Sequence, residues 1–109
     1  MVDIDKYLEF TDSTAIYPGS NTGDDTEVAY LTLGLASEAG EVADKVKKYM
    51  RDGELNPEDV VKEVGDVFWY AVRLCQAFDA VPSEVLQMNM DKLSSRKKRG
   101  KLPGSGDNR

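Results

Sequence analysis

A short acidic phrase that occurs twice, 25 positions apart, constrains this chain more than any other feature. Glu38-Ala39-Gly40-Glu41-Val42 returns as Glu63-Val64-Gly65-Asp66-Val67. At about 100° per residue, each phrase lies within an apolar stripe typical of an amphipathic helix. The stripes consist of Leu35, Ala39, Val42, Val46 and Tyr49, and of Val60, Val64, Val67, Ala71, Leu74 and Phe78. The repeat therefore predicts two similar helices that pack through these stripes.

The two acidic residues of each phrase lie on one side of their helix, at the edge of the stripe. Packing of the stripes would bring Glu38 and Glu41 toward Glu63 and Asp66. Carboxylates about 5 Å apart repel by roughly 3 kcal/mol per pair at an effective dielectric near 20. A hard divalent cation relieves this repulsion, and a set of oxygen ligands without His or Cys suits Mg²⁺, with Mn²⁺ as a substitute. The alternative is a pair of solvent-exposed acidic faces, and the doubled pattern favours the metal site.

The same residues resemble the signature of a known family. Glu38-x-x-Glu41 followed by Glu63-x-x-Asp66 is similar to the E-x-x-E, spacer, E-x-x-D pattern of the MazG-like nucleotide pyrophosphohydrolases, an all-α superfamily with dimeric dUTPase and dCTP pyrophosphatase relatives. The likeness extends through residues 30–96. It implies a magnesium-dependent enzyme that cleaves a (deoxy)nucleoside triphosphate between its α and β phosphates, with the four carboxylates as catalytic metal ligands. The base is not derivable, and resemblance to small nucleotide-pool enzymes alone favours guanine.

A basic face near the carboxyl end extends this resemblance. Asn89, Lys92 and Arg96 recur at i, i+3 and i+7 and so share a helix face. An N-x-x-K-L/F-x-x-R pattern occupies this place in MazG-like proteins, which implies contacts with the nucleotide or the acidic site. The alternative interpretation is an ordinary basic helix end, stabilised by the helix dipole.

Other candidate substrate contacts lie outside these motifs. Lys48, aligned by the repeat with Arg73, has no obvious helical partner and could neutralise phosphate charge. Tyr17 and Asn21 lie in a turn-rich segment that either reaches a nucleobase or is a plain connector. Residues 101–109 either form a flexible tail or fold over the site and bring Arg109 to a phosphate.

Composition excludes several classes of function. The 109 residues form one domain over residues 1–100 plus the tail, and the net charge of −6 argues against binding to nucleic acid or an anionic membrane. The absence of His excludes His-based triads and His-ligated zinc. A lone Cys75 allows no intrachain disulfide, and no apolar run approaches the roughly 20 residues of a membrane span. We expect a cytoplasmic location.

The helix signals predict an all-α, antiparallel bundle of about four helices. Capping and turn residues place these helices at 3–11, 26–50, 57–78 and 82–98. A chain this short buries little core, so we expect a homodimer or homotetramer to complete the bundle. Gly40 and Gly65 point away from the acidic edge and suggest close helix or subunit contact. Phe68 and Trp69 lie off the main stripe and suggest either a further packing surface or cover by the amino-terminal segment.

Two non-enzymatic alternatives remain compatible with these patterns. The acidic edge could bind a basic protein partner as part of a helical interaction module, or it could hold a metal in a regulator without turnover. The doubled motif favours the enzyme, because a metal between paired carboxylates and phosphates is what cleavage of a nucleoside triphosphate requires.

Overall fold

The structure is a computed structural model that describes residues 1–109 and contains four α-helices and no strands. The helices are α1 (Ile4–Asp12), α2 (Asp25–Asp52), α3 (Pro57–Ala77) and α4 (Pro82–Lys98). The short connection between α2 and α3 makes them antiparallel neighbours with the largest helix contact in the chain. α1 packs on α3, and α4 contacts α1 and α3. The all-α prediction is confirmed, with helix bounds close to those expected.

The helix ends follow from local capping chemistry. The Asp24 side chain accepts the Glu27 N–H at 3.0 Å and begins α2. Gly53, with φ 78°, ends α2 in the left-handed conformation, and its N–H donates to the Tyr49 carbonyl at 2.7 Å. Asn56 caps α3 and Pro57 takes the first helical position, where its missing N–H leaves no bond unmade.

The core is small and lies at one end of the α2–α3 pair. The segment between α1 and α2, residues 13–24, folds over this end, and we call it the pocket loop. The buried apolar side chains are Ala15, Tyr17, Leu31, Val72 and Ala77. At the other end the predicted stripes are only half covered, since Val46, Tyr49 and Val64 are 42%, 46% and 36% exposed. The helix pair is therefore closed by the pocket loop at one end and open at the other.

The chain exposes more surface than a compact monomer of its size. Its accessible surface is 7816 Å², whereas a compact 12.1 kDa protein has about 6,000 Å². Its radius of gyration is 16.5 Å, against about 13 Å for a compact domain of 100 residues. The large apolar side chains exposed on α2 and α3 include Leu33, Val46, Tyr49, Met50, Val61, Val64 and Phe68. This surface is what association between chains would bury.

Gly40 and Gly65 make no close helix contact within the chain. A methyl group added at either glycine would meet nothing within 4 Å, so only contact with another subunit remains as a prediction for them. Gly34 is the glycine on which helix packing depends, because the ring of Tyr70 occupies the space where a Cβ would stand. Trp69 is covered by the pocket loop and donates to the Thr14 hydroxyl at 2.8 Å.

None of the four helices combines the length and the apolar character that crossing a membrane would require.

Candidate active site

Three of the four predicted carboxylates converge between α2 and α3. Glu38 on α2 and Glu63 and Asp66 on α3 each place one oxygen within 4.8 Å of the others. Antiparallel packing produces this group because each residue borders the stripe through which the helices pack. Glu41, one turn further along α2, is exposed and lies outside the group. We call Glu38, Glu63 and Asp66 the carboxylate cluster.

The cluster carries negative charge that the chain leaves largely uncompensated. Burial raises the pKa of Glu38, and the adjacent Glu63 side chain and the charges of Asp66 and Glu41 raise it further. The nearest cation is Lys45, whose Nζ lies 3.9 Å from Glu63 Oε1. Hard oxygen donors that repel one another at this spacing fit a divalent cation such as Mg²⁺.

A pocket of about 340 Å³ opens directly beside the cluster. Glu38 and Asp66 form one part of its wall, and the rest is aromatic or belongs to the pocket loop. The other lining residues are Thr14, Ile16, Tyr17, Tyr30, Trp69 and Tyr70. An apolar, aromatic pocket that ends at a group of charged side chains is the usual form of a small-molecule site.

The aromatic rings of the pocket pack in a fixed arrangement. Tyr17 stacks on Tyr30 with ring centroids 5.0 Å apart and planes 7° from parallel. The Trp69 ring meets Tyr17 edge to face at 5.9 Å and Tyr70 at 5.0 Å. Burial raises the pKa of Tyr70, and its neighbour Tyr30 and the nearby Glu38 and Asp66 charges raise it further. Its hydroxyl therefore keeps its proton at neutral pH and can donate a hydrogen bond beside the cluster.

Comparison with known proteins assigns the chain to a family. Residues 26–100 match the MazG nucleotide pyrophosphohydrolase domain, and this span contains every carboxylate of the repeated phrase. The chain belongs to the MazG family. The gene 37 protein of Mycobacterium phage L5 is 46% identical to it over 112 residues, which cover 97% of this chain and 98% of that protein. No solved structure matches the chain.

The predicted phosphate contacts of this MazG chain lie outside the pocket. Lys48 pairs with Asp44, one turn earlier on its own helix, at 2.8 Å, so the prediction that it lacks a helical partner is wrong. Arg73, which the repeat aligns with Lys48, is fully buried and has no access to a phosphate. Of the two residues expected to reach a base, Tyr17 lines the pocket, whereas the Asn21 side chain accepts a hydrogen bond from Arg73 at 2.7 Å.

The basic face of α4 is engaged by the folded tail. Lys92 Nζ lies 3.0 Å from Asp107 Oδ1, and Arg96 donates to the Asp107 carbonyl at 2.8 Å. Arg109 donates to three carbonyl oxygens within the tail, those of Lys101, Leu102 and Gly106. Asn89 is exposed, and none of these four predicted contacts lines the pocket. Their roles toward a nucleotide stay predictions.

Several residues of the site were not predicted from the sequence as substrate contacts. Tyr70 follows Asp66 by four residues, and this helical spacing places it on the same edge as the carboxylates, where it lines the pocket with Asp66. Tyr30 and Trp69 carried no comparable signal, because their place in the pocket depends on the path of the pocket loop. Glu27 and Arg73, two buried side chains of opposite charge 4.0 Å apart, were missed for the same reason.

Proposed function

We propose that this MazG-family chain is a nucleoside triphosphate pyrophosphohydrolase that converts a (deoxy)nucleoside triphosphate to the monophosphate and pyrophosphate. The observation that carries the proposal is that an aromatic pocket adjoins the carboxylate cluster. Glu38 and Asp66 belong to the cluster and also line the pocket. A nucleotide has the same two parts, a planar base and a chain of phosphates. Placed in this pocket, it would direct its phosphates toward the cluster.

Glu38, Glu63 and Asp66 would hold the divalent cation, Mg²⁺ or Mn²⁺ in its place, with Glu41 at the outer side of the site. A bound cation would neutralise phosphate charge and lower the pKa of a coordinated water. The carboxylates of the chain would hold that cation in place, and one of them would orient the attacking water. The Tyr70 hydroxyl, protonated and close to the cluster, would hydrogen-bond the sugar or the α phosphate.

The aromatic side chains would bind the nucleoside. Stacking of a base on an aromatic side chain contributes about 1–3 kcal/mol and tolerates different bases. The pocket volume of about 340 Å³ lies at the lower end of the range for small-ligand sites, which suits one nucleoside and leaves the phosphates outside. Family resemblance alone favours a guanine nucleotide as the substrate.

The active form would be a homodimer or homotetramer. Association is supported by the accessible surface, which is larger than that of a compact monomer, and by the apolar side chains exposed on α2 and α3. The residues proposed to contact phosphate do not line the pocket, so any contact they make would be outside it, in their own chain or in a neighbouring subunit; these residues are Asn89, Lys92, Arg96, Lys48 and Arg109. The acidic net charge is consistent with a small-molecule substrate in the cytoplasm and not with nucleic acid.

A substrate panel tests this proposal. Canonical nucleoside triphosphates are incubated with the protein and Mg²⁺, Mn²⁺ or excess chelator, and the products are resolved by chromatography. We expect monophosphate and pyrophosphate in equal amounts, and no turnover in chelator. Diphosphate with orthophosphate, or full turnover in chelator, would contradict the proposal. Nucleotide binding without any product would instead indicate a non-catalytic binding module.

A further inference from the structure

Arg73 is the only basic side chain of the chain that is completely buried, and it lies on the helix that carries Glu63 and Asp66. We propose that Arg73 is a positioning residue for nucleoside binding, which acts with Glu27 by fixing the pocket loop so that Tyr17 forms one wall of the pocket. This inference rests on the proposed function, since it concerns how the nucleotide is bound.

The guanidinium of Arg73 ties three points of the amino-terminal segment to α3. Its Nη1 donates to Asp12 Oδ1 at 2.6 Å, at the end of α1. Its Nε donates to the Tyr17 hydroxyl at 3.2 Å, and its Nη2 donates to Asn21 Oδ1 at 2.7 Å. Because the guanidinium is planar and rigid, these contacts fix the end of α1 and two points of the pocket loop relative to one another.

Glu27 completes the arrangement from α2. Its Oε2 accepts from the Tyr17 hydroxyl at 2.6 Å and from the Asn21 N–H at 2.8 Å, and its Oε1 accepts from the Gly23 N–H at 2.9 Å. Arg73 Nη2 lies 4.0 Å from Glu27 Oε2, so each buried charge has its counterion and several hydrogen bonds. A buried pair satisfied in this way holds one geometry, since any other leaves a charge without partners.

The backbone of the loop depends on this arrangement. Asn21 has φ 62°, in the left-handed region that non-glycine residues seldom adopt, and both its N–H and its side chain are held by the buried pair. Gly19 has φ 76°, and a Cβ there would stand 2.9 Å from the Glu27 nitrogen. The buried pair therefore holds Asn21 in its left-handed conformation, and the close approach of the loop to Glu27 requires glycine at position 19.

The consequence for the pocket is carried by Tyr17. Its hydroxyl donates to Glu27 and accepts from Arg73. Its ring stacks on Tyr30 and contacts Trp69 edge to face. Arg73 itself does not line the pocket, and as a fully buried side chain it is inaccessible to a phosphate. Its effect on nucleotide binding would therefore be transmitted through the position of the loop.

The test compares two substitutions at adjacent positions of α3. Arg73→Lys keeps the positive charge but loses the forked geometry, so the loop must be ordered when the nucleotide binds. We expect KM to rise about tenfold while kcat stays within about twofold. Trp69 is the only tryptophan and lines the pocket, so quenching of its fluorescence by a nucleoside monophosphate should report the same loss of affinity.

Val72→Ala is the matched control. Val72 is 2% exposed and does not line the pocket, so its truncation should lower the melting temperature without changing KM or the fluorescence titration. An unchanged KM in Arg73→Lys, or an equal rise in both variants, would overturn the inference and leave Arg73 a purely structural residue.

A milder variant covers the case in which Arg73→Lys does not fold. Asp12→Asn removes the charge from an acceptor that is 58% exposed, and we expect it to weaken nucleoside monophosphate binding in the same direction, by about threefold. No change would reject the inference. A wild-type protein that binds nucleotide but releases no pyrophosphate would reject the proposed enzyme alone, because the fluorescence comparison would still decide the role of Arg73.

Discussion

Glu27 and Glu38 are both on α2, but the pKa values of their carboxyl groups are shifted in opposite directions. Burial acts to raise the pKa of Glu27, but hydrogen bonds from Tyr17 and two backbone N–H groups, with the Arg73 charge, outweigh it and lower this pKa. Glu38 has no cationic partner and faces other carboxylates, and its pKa is raised. A buried carboxylate with hydrogen-bond donors and a counterion, such as Glu27, stabilises the fold. A carboxylate surrounded by other carboxylates, such as Glu38, is a candidate ligand for a cation.

This contrast gives a prediction at Glu38. Glu38→Gln removes one member of the repelling cluster while preserving its shape, so the metal-free protein should be as stable as wild type or slightly more stable. Pyrophosphate release should fall by at least about 100-fold, since a ligand of the cation is lost. Thermal melts with and without Mg²⁺ and a turnover assay measure both effects.

Glu58→Gln is the control for this prediction. Glu58 is an exposed first-turn residue of α3, 3.6 Å from Lys62, and its loss should cost at most about 1 kcal/mol of helix-dipole stabilisation without affecting turnover. If Glu38→Gln and Glu58→Gln had the same small effects in both assays, the carboxylate cluster would be an ordinary acidic face.

At the scale of elements, the sequence predicts the helices well and the pocket loop poorly. Helix ends depend on neighbours in the chain, such as Asn56 before Pro57 or Gly53 after α2, so local chemistry locates them. Three of the four carboxylates converge as the repeated phrase on two packed helices predicts, whereas Glu41 lies outside the group. The path of residues 13–24 depends on Arg73, more than 50 positions away, and no local pattern encodes that contact.

The pocket loop should also be the part of the molecule most sensitive to acid. Because the folded-state pKa of Glu27 is lowered, its stabilising contribution is complete above the ordinary glutamate value and is lost as pH falls through the lowered one. Below that pH, Trp69 fluorescence should report release of the loop before the helical circular dichroism signal decreases. Glu27→Gln, which cannot titrate, should show a weakened loop at all pH values and no separate acid step.

At the scale of the whole molecule, the chain leaves its packing unfinished. Few apolar side chains are buried, and many large ones on α2 and α3 remain exposed. The sequence predicted this shortage from length alone, because a domain of about 100 residues buries a smaller share of its surface than a larger one. Which faces stay open was not predictable, since it depends on how far the pocket loop and α1 cover the helix pair.

The melting temperature should therefore depend on protein concentration. For a dimer that unfolds as it dissociates, each tenfold dilution lowers the stability of the folded state by about 1.4 kcal/mol. Val61→Glu, at a 66% exposed position of α3, should lower both the mass measured by light scattering and the melting temperature. Val81→Glu, 42% exposed before α4, is the control and should change neither. A concentration-independent melt of an active monomer would contradict the proposed assembly.

The contact between Gly34 and the Tyr70 ring has a consequence for how this chain can diverge. Because the Tyr70 ring fills the space where a Cβ of residue 34 would stand, Gly34 can be replaced only after Tyr70 has been replaced by a smaller residue. Tyr70 also lines the pocket, so that first step would alter ligand binding. The two positions are thus expected to change together or not at all, and a descendant lineage that acquires alanine at 34 should be one whose substrate has changed.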